Sequence, residues 1–415
     1  MWARWQAITL WKRILGALFA GILIGAALKA AGYGEYGAAL QPVGQLFINA
    51  IKMLMVPIVF VTIVAGVTSL RDSSRLGRMA WRTILLYLVT TACAVTIGLV
   101  VANWIEPGAG VRLPDTGEEV RRATLSVKDI LVGLIPANPV TAMAEGKVLQ
   151  IIVFAILLGL AINGAGARGR LLKDFFDAAN DVIMKLVHFV MEAAPFGIFA
   201  LILWVIAELS PAELFRLVWV VVALYLACLI QISLVYGGLL TFLGRLNPVR
   251  FFQGILDAQA VAFSTSTSAG TLPVTMANVE DNLGVPKRVA SFVLPLGATM
   301  NMDGTAIYMG IAAVFTAQAL GIDLDLAQYA TIILTGTLAS IGAASVPSAG
   351  LIIMPVVLSS VGLPLGAIAL FFPIDRIMDM MRTMTNVTGD ATVSVLVAKG
   401  EGILDEERFS APPVE

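Results

Sequence analysis

Most of this chain is a succession of apolar runs, each at least about as long as a bilayer is thick. Runs fall near residues 13–30, 42–70, 80–104, 130–164, 175–207, 214–244, 288–320 and 364–398. A membrane-spanning helix needs about 20 such residues. The longer runs predict tilt or interfacial extension. With 58% hydrophobic and 13% charged residues, the 415 residues hold too little polar sequence to cover soluble domains. The runs are continuous, not alternating, which excludes an outer-membrane barrel. The expectation is an all-α integral membrane protein.

Two further apolar segments, about 250–282 and 326–361, are interrupted at their middles by small polar residues. The interruptions are Ser264–Gly270 and Ser340–Gly350, and each flanking half is too short to span. Basic residues set the topology, because cytoplasmic ends are enriched in Lys and Arg. Arg71, Arg75, Arg78 and Arg82 follow the second run, Arg168, Arg170 and Lys173 the fourth, and Arg245 and Arg250 the sixth. Segment 250–282 ends at Lys287 and Arg288, so both its ends lie inside. Segment 326–361 follows Asp323 and Asp325, and both its ends lie outside. The tail with Lys399 and Arg408 returns inside. The loop at 105–128 is placed outside, with Arg112, Arg121, Arg122 and Lys128 balanced by four acids from Glu106 to Glu119. The pattern is eight transmembrane helices plus two opposed re-entrant helical hairpins, an inverted repeat typical of secondary transporters. Irregular backbone survives at membrane depth only inside protein or beside a watery cavity. The two tips should therefore meet near the midplane.

Several function classes drop out. A net charge of −1 leaves no nucleic-acid footprint. Cys93 and Cys228 sit singly in apolar runs, and His188 is the only histidine, so no metal cluster or His-based hydrolytic site can be assembled. Gly164–Gly169 lacks the Lys-Ser/Thr of a phosphate loop. Arg4, Lys12 and Arg13 precede a run with no evident cleavage site, which reads as a first transmembrane helix.

The polar residues that remain inside the runs carry the chemistry. Asp375, Asp379, Arg382, Asn386 and Asp390 fall within about 80° of one helix face at 100° per residue. Each embedded charge costs about 2.5–3.5 kcal/mol on insertion scales, so the stripe must face a cavity or polar partners. A structural ion pair between Asp379 and Arg382 is the plainer alternative. In Asn301-Met-Asp303-Gly304-Thr305, glycine weakens the helix while Asn and Asp compete for its backbone. Local unwinding there would release carbonyls that, with a carboxylate, suit an alkali cation. Free N–H groups at the half-helix ends of the hairpin tips attract carboxylates. Tyr87, Thr90 and Thr91 in the third run are weak evidence alone, since helix threonines commonly bond their own backbone.

At these positions the chain resembles the dicarboxylate/amino acid:cation symporters, the glutamate transporter family. The resemblance runs over essentially the whole chain. It is carried by Ser268–Thr275 in the first tip, Asn301–Thr305, Ala339–Pro347 in the second tip, and Asn386–Asp390. It implies a homotrimeric sodium symporter for L-aspartate or L-glutamate in the inner membrane, working as an elevator. Residues 1–80 and 106–210 would form scaffold helices with an external loop. Residues 81–105 and 211–400 would form the moving transport domain, and 401–415 a cytoplasmic tail. The resemblance places Arg382 on the substrate side-chain carboxylate with Thr305 and Thr383 beside it, and Asp379 on the ammonium. It places Asn386, Thr267 and Ser268 on the α-carboxylate, and Val346 and Gly350 in main-chain contacts. One sodium site would use Gly297, Asn301, Asn386 and Asp390. A second would use Thr299, Ser340, Ile341 and Ala343, and a third Tyr87, Thr90, Thr91, Asn301 and Asp303.

The chain also departs from the family. Ser266 stands where archaeal relatives carry an arginine, and Met380 where vertebrate relatives carry a compensating one, with Arg376 offset by about one turn. Met309 replaces a glutamate linked to proton coupling in vertebrate relatives. A proton-coupled acidic amino acid carrier or a C4-dicarboxylate carrier is the alternative within transporters. An anion channel is the alternative from another class. An enzyme is not expected.

Overall fold

The computed structural model describes residues 10–33, 36–37, 39–69, 77–111, 135–208, 211–340 and 348–413, and among these it is helical with no strand. The principal helices are α1 (Leu10–Ala30), α2 (Gln41–Ser69), α3 (Gly77–Ile105), α4 (Pro139–Ala144), α5 (Val148–Gly164), α6 (Arg170–Glu192), α7 (Ala194–Glu208) and α8 (Pro211–Ile230). They continue with α9 (Pro248–Gly254), α10 (Leu256–Thr265), α11 (Ser268–Ala277), α12 (Lys287–Met300), α13 (Asp303–Ala319), α14 (Leu326–Ser340), α15 (Ala349–Ser360), α16 (Ile368–Gly400) and α17 (Glu406–Ser410). Arg71, Arg75, Arg112, Arg121, Arg122 and Lys128, on which part of the topology rests, lie outside the described residues, as do Ile341, Ala343 and Val346.

Not every apolar run is one uninterrupted helix. The run 175–207 splits between Glu192 and Ala194. Pro195 is the cause: it has no N–H to continue the hydrogen bonding of the preceding helix, and it is tolerated in the first turn of the next. The run 288–320 splits at Asn301 and Met302, where φ/ψ of −94/77 and −104/50 leave the helix. That is the unwinding expected from the Asn-Met-Asp-Gly-Thr stretch. Judged by length and apolarity, among the described residues, Met79–Ile105 and Phe215–Leu243 qualify as spans, and α1 and α2 are apolar helices of 21 and 29 residues. The eight expected spans are therefore not all single apolar helices. The last run illustrates why: α16 is 33 residues long, but its embedded charges offset its apolar residues.

Helices pack in two sets. α1 lies along α7, and α2 contacts α5, α6 and α7. Arg13 on α1 forks onto Glu192 at the end of α6, at 2.6 and 2.9 Å. In the second set α3 packs on α13, α8 and α14, while α16 contacts α8, α10, α12 and α13. α10 packs against α11 across Ser266, whose φ of 55° turns the chain, and α14 packs against α15. α15 also touches α2 and α5, linking the sets.

The α3–α13 contact depends on Gly98, where an added Cβ would collide with the Ile307 carbonyl. Small residues let helix backbones approach where no hydrophobic force drives them together. Gly98→Val should cost about 1–3 kcal/mol through overpacking. The expected result is a lower unfolding temperature for the detergent-purified protein. An unchanged value would show that the helices can part without loss.

Candidate functional site

The polar stripe of α16 is buried. Arg382 has no exposed surface, and Asp375, Asp379, Asn386 and Asp390 are each under a tenth exposed. Helical side chains lean toward the N-terminus, so Arg382 reaches back over one and two turns. Its Nη2 donates to Asp379 Oδ1 at 2.7 Å and to Asp375 Oδ1 at 2.9 Å. The structural ion pair is thus present, and it is a triad that includes Asp375. Arg382 Nε and Nη1 make no hydrogen bond. The guanidinium carbon lies 4.2 Å from the centroid of the Tyr308 ring. Gly350, at the start of α15, leaves room for both: a Cβ there would strike Arg382 Nη1 and crowd the Tyr308 ring. Asp379 Oδ2 accepts from the Ser348 N–H at 2.8 Å, which ties the backbone entering α15 to α16.

A second cluster surrounds the break between α12 and α13. Asn301 Nδ2 donates to Asp390 Oδ1 at 3.0 Å and to the Asn386 carbonyl at 3.2 Å. The Gly304 N–H donates to Asn386 Oδ1 at 2.7 Å. Gly297 is required by space, because a Cβ would meet Asp390 Oδ1 and the Tyr87 hydroxyl. Gly297, Asn301, Asn386 and Asp390 are therefore together, and their donors are mostly hard oxygens of the kind an alkali cation prefers.

Asp303, fully buried, heads a third cluster. Its Oδ1 accepts from the Thr91 hydroxyl at 2.6 Å. Its Oδ2 accepts from Tyr236 at 2.7 Å and from Gln231 Nε2 at 3.1 Å. Thr90 Oγ1 lies 3.5 Å from Asn301 Oδ1 and donates to the Tyr87 carbonyl at 3.1 Å. Tyr87 donates its own hydroxyl to the Val293 carbonyl at 3.0 Å. Sequence reasoning missed Gln231, Tyr236, Tyr308 and Ser348. Gln231 was findable as a lone amide in an apolar run; Tyr236 was not, because its placement needs unusual winding. Residues 231–236 form a π-helix. In an α-helix, residues five apart sit about 140° round from one another. Winding with i→i+5 bonds brings them onto one face, and Gln231 and Tyr236 reach the same carboxylate oxygen.

Other expected positions are less gathered. Thr305, Thr383, Ser268 and Ser340 are buried, whereas Thr299 is exposed and donates to the Leu296 carbonyl at 3.0 Å. Thr267 caps α11 by accepting from the Gly270 N–H at 3.2 Å. Ser340 donates to the Thr337 carbonyl at 2.8 Å. Ser266 is buried at the turn between α10 and α11, and Met309 is buried on α13. Arg376 Nη2 lies 3.4 Å from the Ser264 carbonyl, so the offset arginine does reach the first tip.

A family model described as the sodium:dicarboxylate symporter family matches residues 10–400. A proton/sodium-glutamate symport protein of Geobacillus stearothermophilus is 33% identical over 404 residues, covering 94% of this chain and 95% of the relative. The Bacillus subtilis (strain 168) protein of the same name is 33% identical over 399 residues, covering 94% and 92%. A C4-dicarboxylate transport protein of Laribacter hongkongensis is 34% identical over 412 residues, covering 97% and 92%.

Proposed function

The chain belongs to the sodium:dicarboxylate symporter family, a family of membrane transporters, and we propose that it carries L-aspartate or L-glutamate inward together with sodium. The observation that carries this reading is the pairing of a buried arginine, two of whose nitrogens make no hydrogen bond, with a buried Asp379 on the same helix face. A guanidinium forks onto a carboxylate, and a carboxylate takes an ammonium. An acidic amino acid presents the mirror arrangement. In this reading Arg382 takes the distal carboxylate with Thr305 and Thr383 nearby. Asp379 takes the ammonium, and Asn386 with the Thr267–Ser268 turn takes the α-carboxylate.

Sodium would use the clusters around Asp390 and Asp303. Helices α1, α2, α5, α6 and α7 would form the scaffold of a trimer, with the second set moving as an elevator. The packing of the helices in two sets supports that division. Uptake of radiolabelled aspartate into proteoliposomes tests the reading. An inward sodium gradient should drive accumulation above equilibrium, which no channel can do. Asp390→Asn should raise the sodium concentration for half-maximal uptake about tenfold or more, as loss of a metal ligand's charge or support commonly does. Uptake driven by a proton gradient alone would instead favour proton coupling.

A further inference from the structure

We propose that Gln231 and Tyr236 are positioning residues for a cation held at Asp303, an assignment that rests on the sodium-coupled reading above. Both lie on a segment outside the expected ion sites, and both are buried. Their side chains converge on one oxygen, Asp303 Oδ2, at 3.1 and 2.7 Å, while Thr91 holds the other at 2.6 Å. Gln231 Nε2 also donates to the Thr90 carbonyl at 3.1 Å. One amide thus bridges the carboxylate of α13 and a backbone oxygen of α3. Tyr236 also stands against α16: its hydroxyl is 3.3 Å from the Thr385 carbonyl. A Cβ at Gly389 would press on that hydroxyl at 2.6 Å.

The winding is what makes this clamp. A helix of ordinary pitch would turn one of the two side chains away from Asp303. π segments cost regular hydrogen-bond geometry and are commonly kept where a side chain must be aimed. A carboxylate ligand whose rotation is fixed by outer partners binds a cation better than one free to turn, and removing such a partner typically costs ten- to a hundredfold in affinity. Neither Gln231 nor Tyr236 needs to touch the ion. Their task is to fix the orientation of Asp303 relative to Thr90, Thr91 and Asn301.

Near-isosteric variants test this with little disturbance of packing. Tyr236→Phe and Gln231→Met, reconstituted in proteoliposomes, should each raise the half-saturating sodium concentration for aspartate uptake about tenfold. The KM for aspartate measured at saturating sodium should stay within about twofold of the parent, because excess cation refills the site. An equal rise in aspartate KM at saturating sodium would indicate general damage and overturn the assignment. So would an unchanged sodium requirement in both variants. Asp303→Asn separates the two levels. If it abolishes sodium dependence while Tyr236→Phe and Gln231→Met leave it intact, the clamp is wrong and the sodium reading stands. If Asp303→Asn itself leaves sodium dependence unchanged, the cation site at Asp303 fails and the clamp fails with it. Should one variant not fold, the other gives the same readout.

Discussion

Arg382→Cys is expected to abolish uptake of aspartate and glutamate and to admit serine or alanine in their place. The guanidinium is fully buried and uses one nitrogen for two aspartates. Truncating one partner of a buried, hydrogen-bonded charge pair costs about 2–5 kcal/mol, which is roughly thirtyfold or more in affinity. The substrate's distal carboxylate would then face Asp375 and Asp379 without a cation between them, which adds repulsion. A neutral amino acid has no such carboxylate, and its ammonium still meets Asp379. The same substitution leaves two buried carboxylates unpaired, so folded yield must be checked by size-exclusion chromatography. The measurement is uptake of labelled aspartate and of labelled serine by the same vesicles. Retention of aspartate uptake within about tenfold of the parent would remove Arg382 from the substrate site.

The residues that made this site readable were those that membranes tolerate least. A stripe of three aspartates, an arginine and an asparagine in one apolar run had to be buried against partners, and it is. The interruption at Asn301–Thr305 also follows from local chemistry, and the helix does break at Asn301 and Met302. The break before Ala194 was equally available through Pro195, but an unbroken apolar run hid it. Other features had no local signal. The π segments at Gln231–Tyr236 and Leu239–Leu243 have no hydrophobic periodicity of their own. A pattern of apolar residues on every face is compatible with either winding. The role of Ser348 was hidden for another reason: it acts through a backbone N–H, which any residue but proline supplies. Asp375 was visible on the polar face, yet its sharing of Arg382 with Asp379 emerges only from the rotamers that point both carboxylates at one nitrogen.

Asp379 separates an amino acid carrier from a dicarboxylate carrier, since relatives named for glutamate symport and for C4-dicarboxylate transport are similarly distant from this chain. Succinate has no ammonium, so a buried Asp379 would only repel it. The wild-type protein should therefore be inhibited by unlabelled aspartate but hardly by succinate or malate. Asp379 has a second contact, because its Oδ2 accepts the Ser348 N–H. Asp379→Ser loses both the charge and that tether. Asp379→Asn keeps an acceptor for Ser348 but removes the charge and, because its other terminal atom is a donor, the acceptor for Arg382 Nη2. Both variants should weaken aspartate by roughly thirtyfold or more, the lower bound for uncovering one side of a buried charge pair. Succinate should change far less, or improve, because one negative charge facing it has gone. The readout is the ratio of half-inhibiting concentrations for succinate and aspartate in competition with labelled aspartate. A large fall of that ratio in Asp379→Asn assigns the ammonium to Asp379. Equal losses for both competitors would make Asp379 a tether for the α15 backbone. Competition by succinate as strong as that by aspartate in the wild type would place the protein among the dicarboxylate carriers.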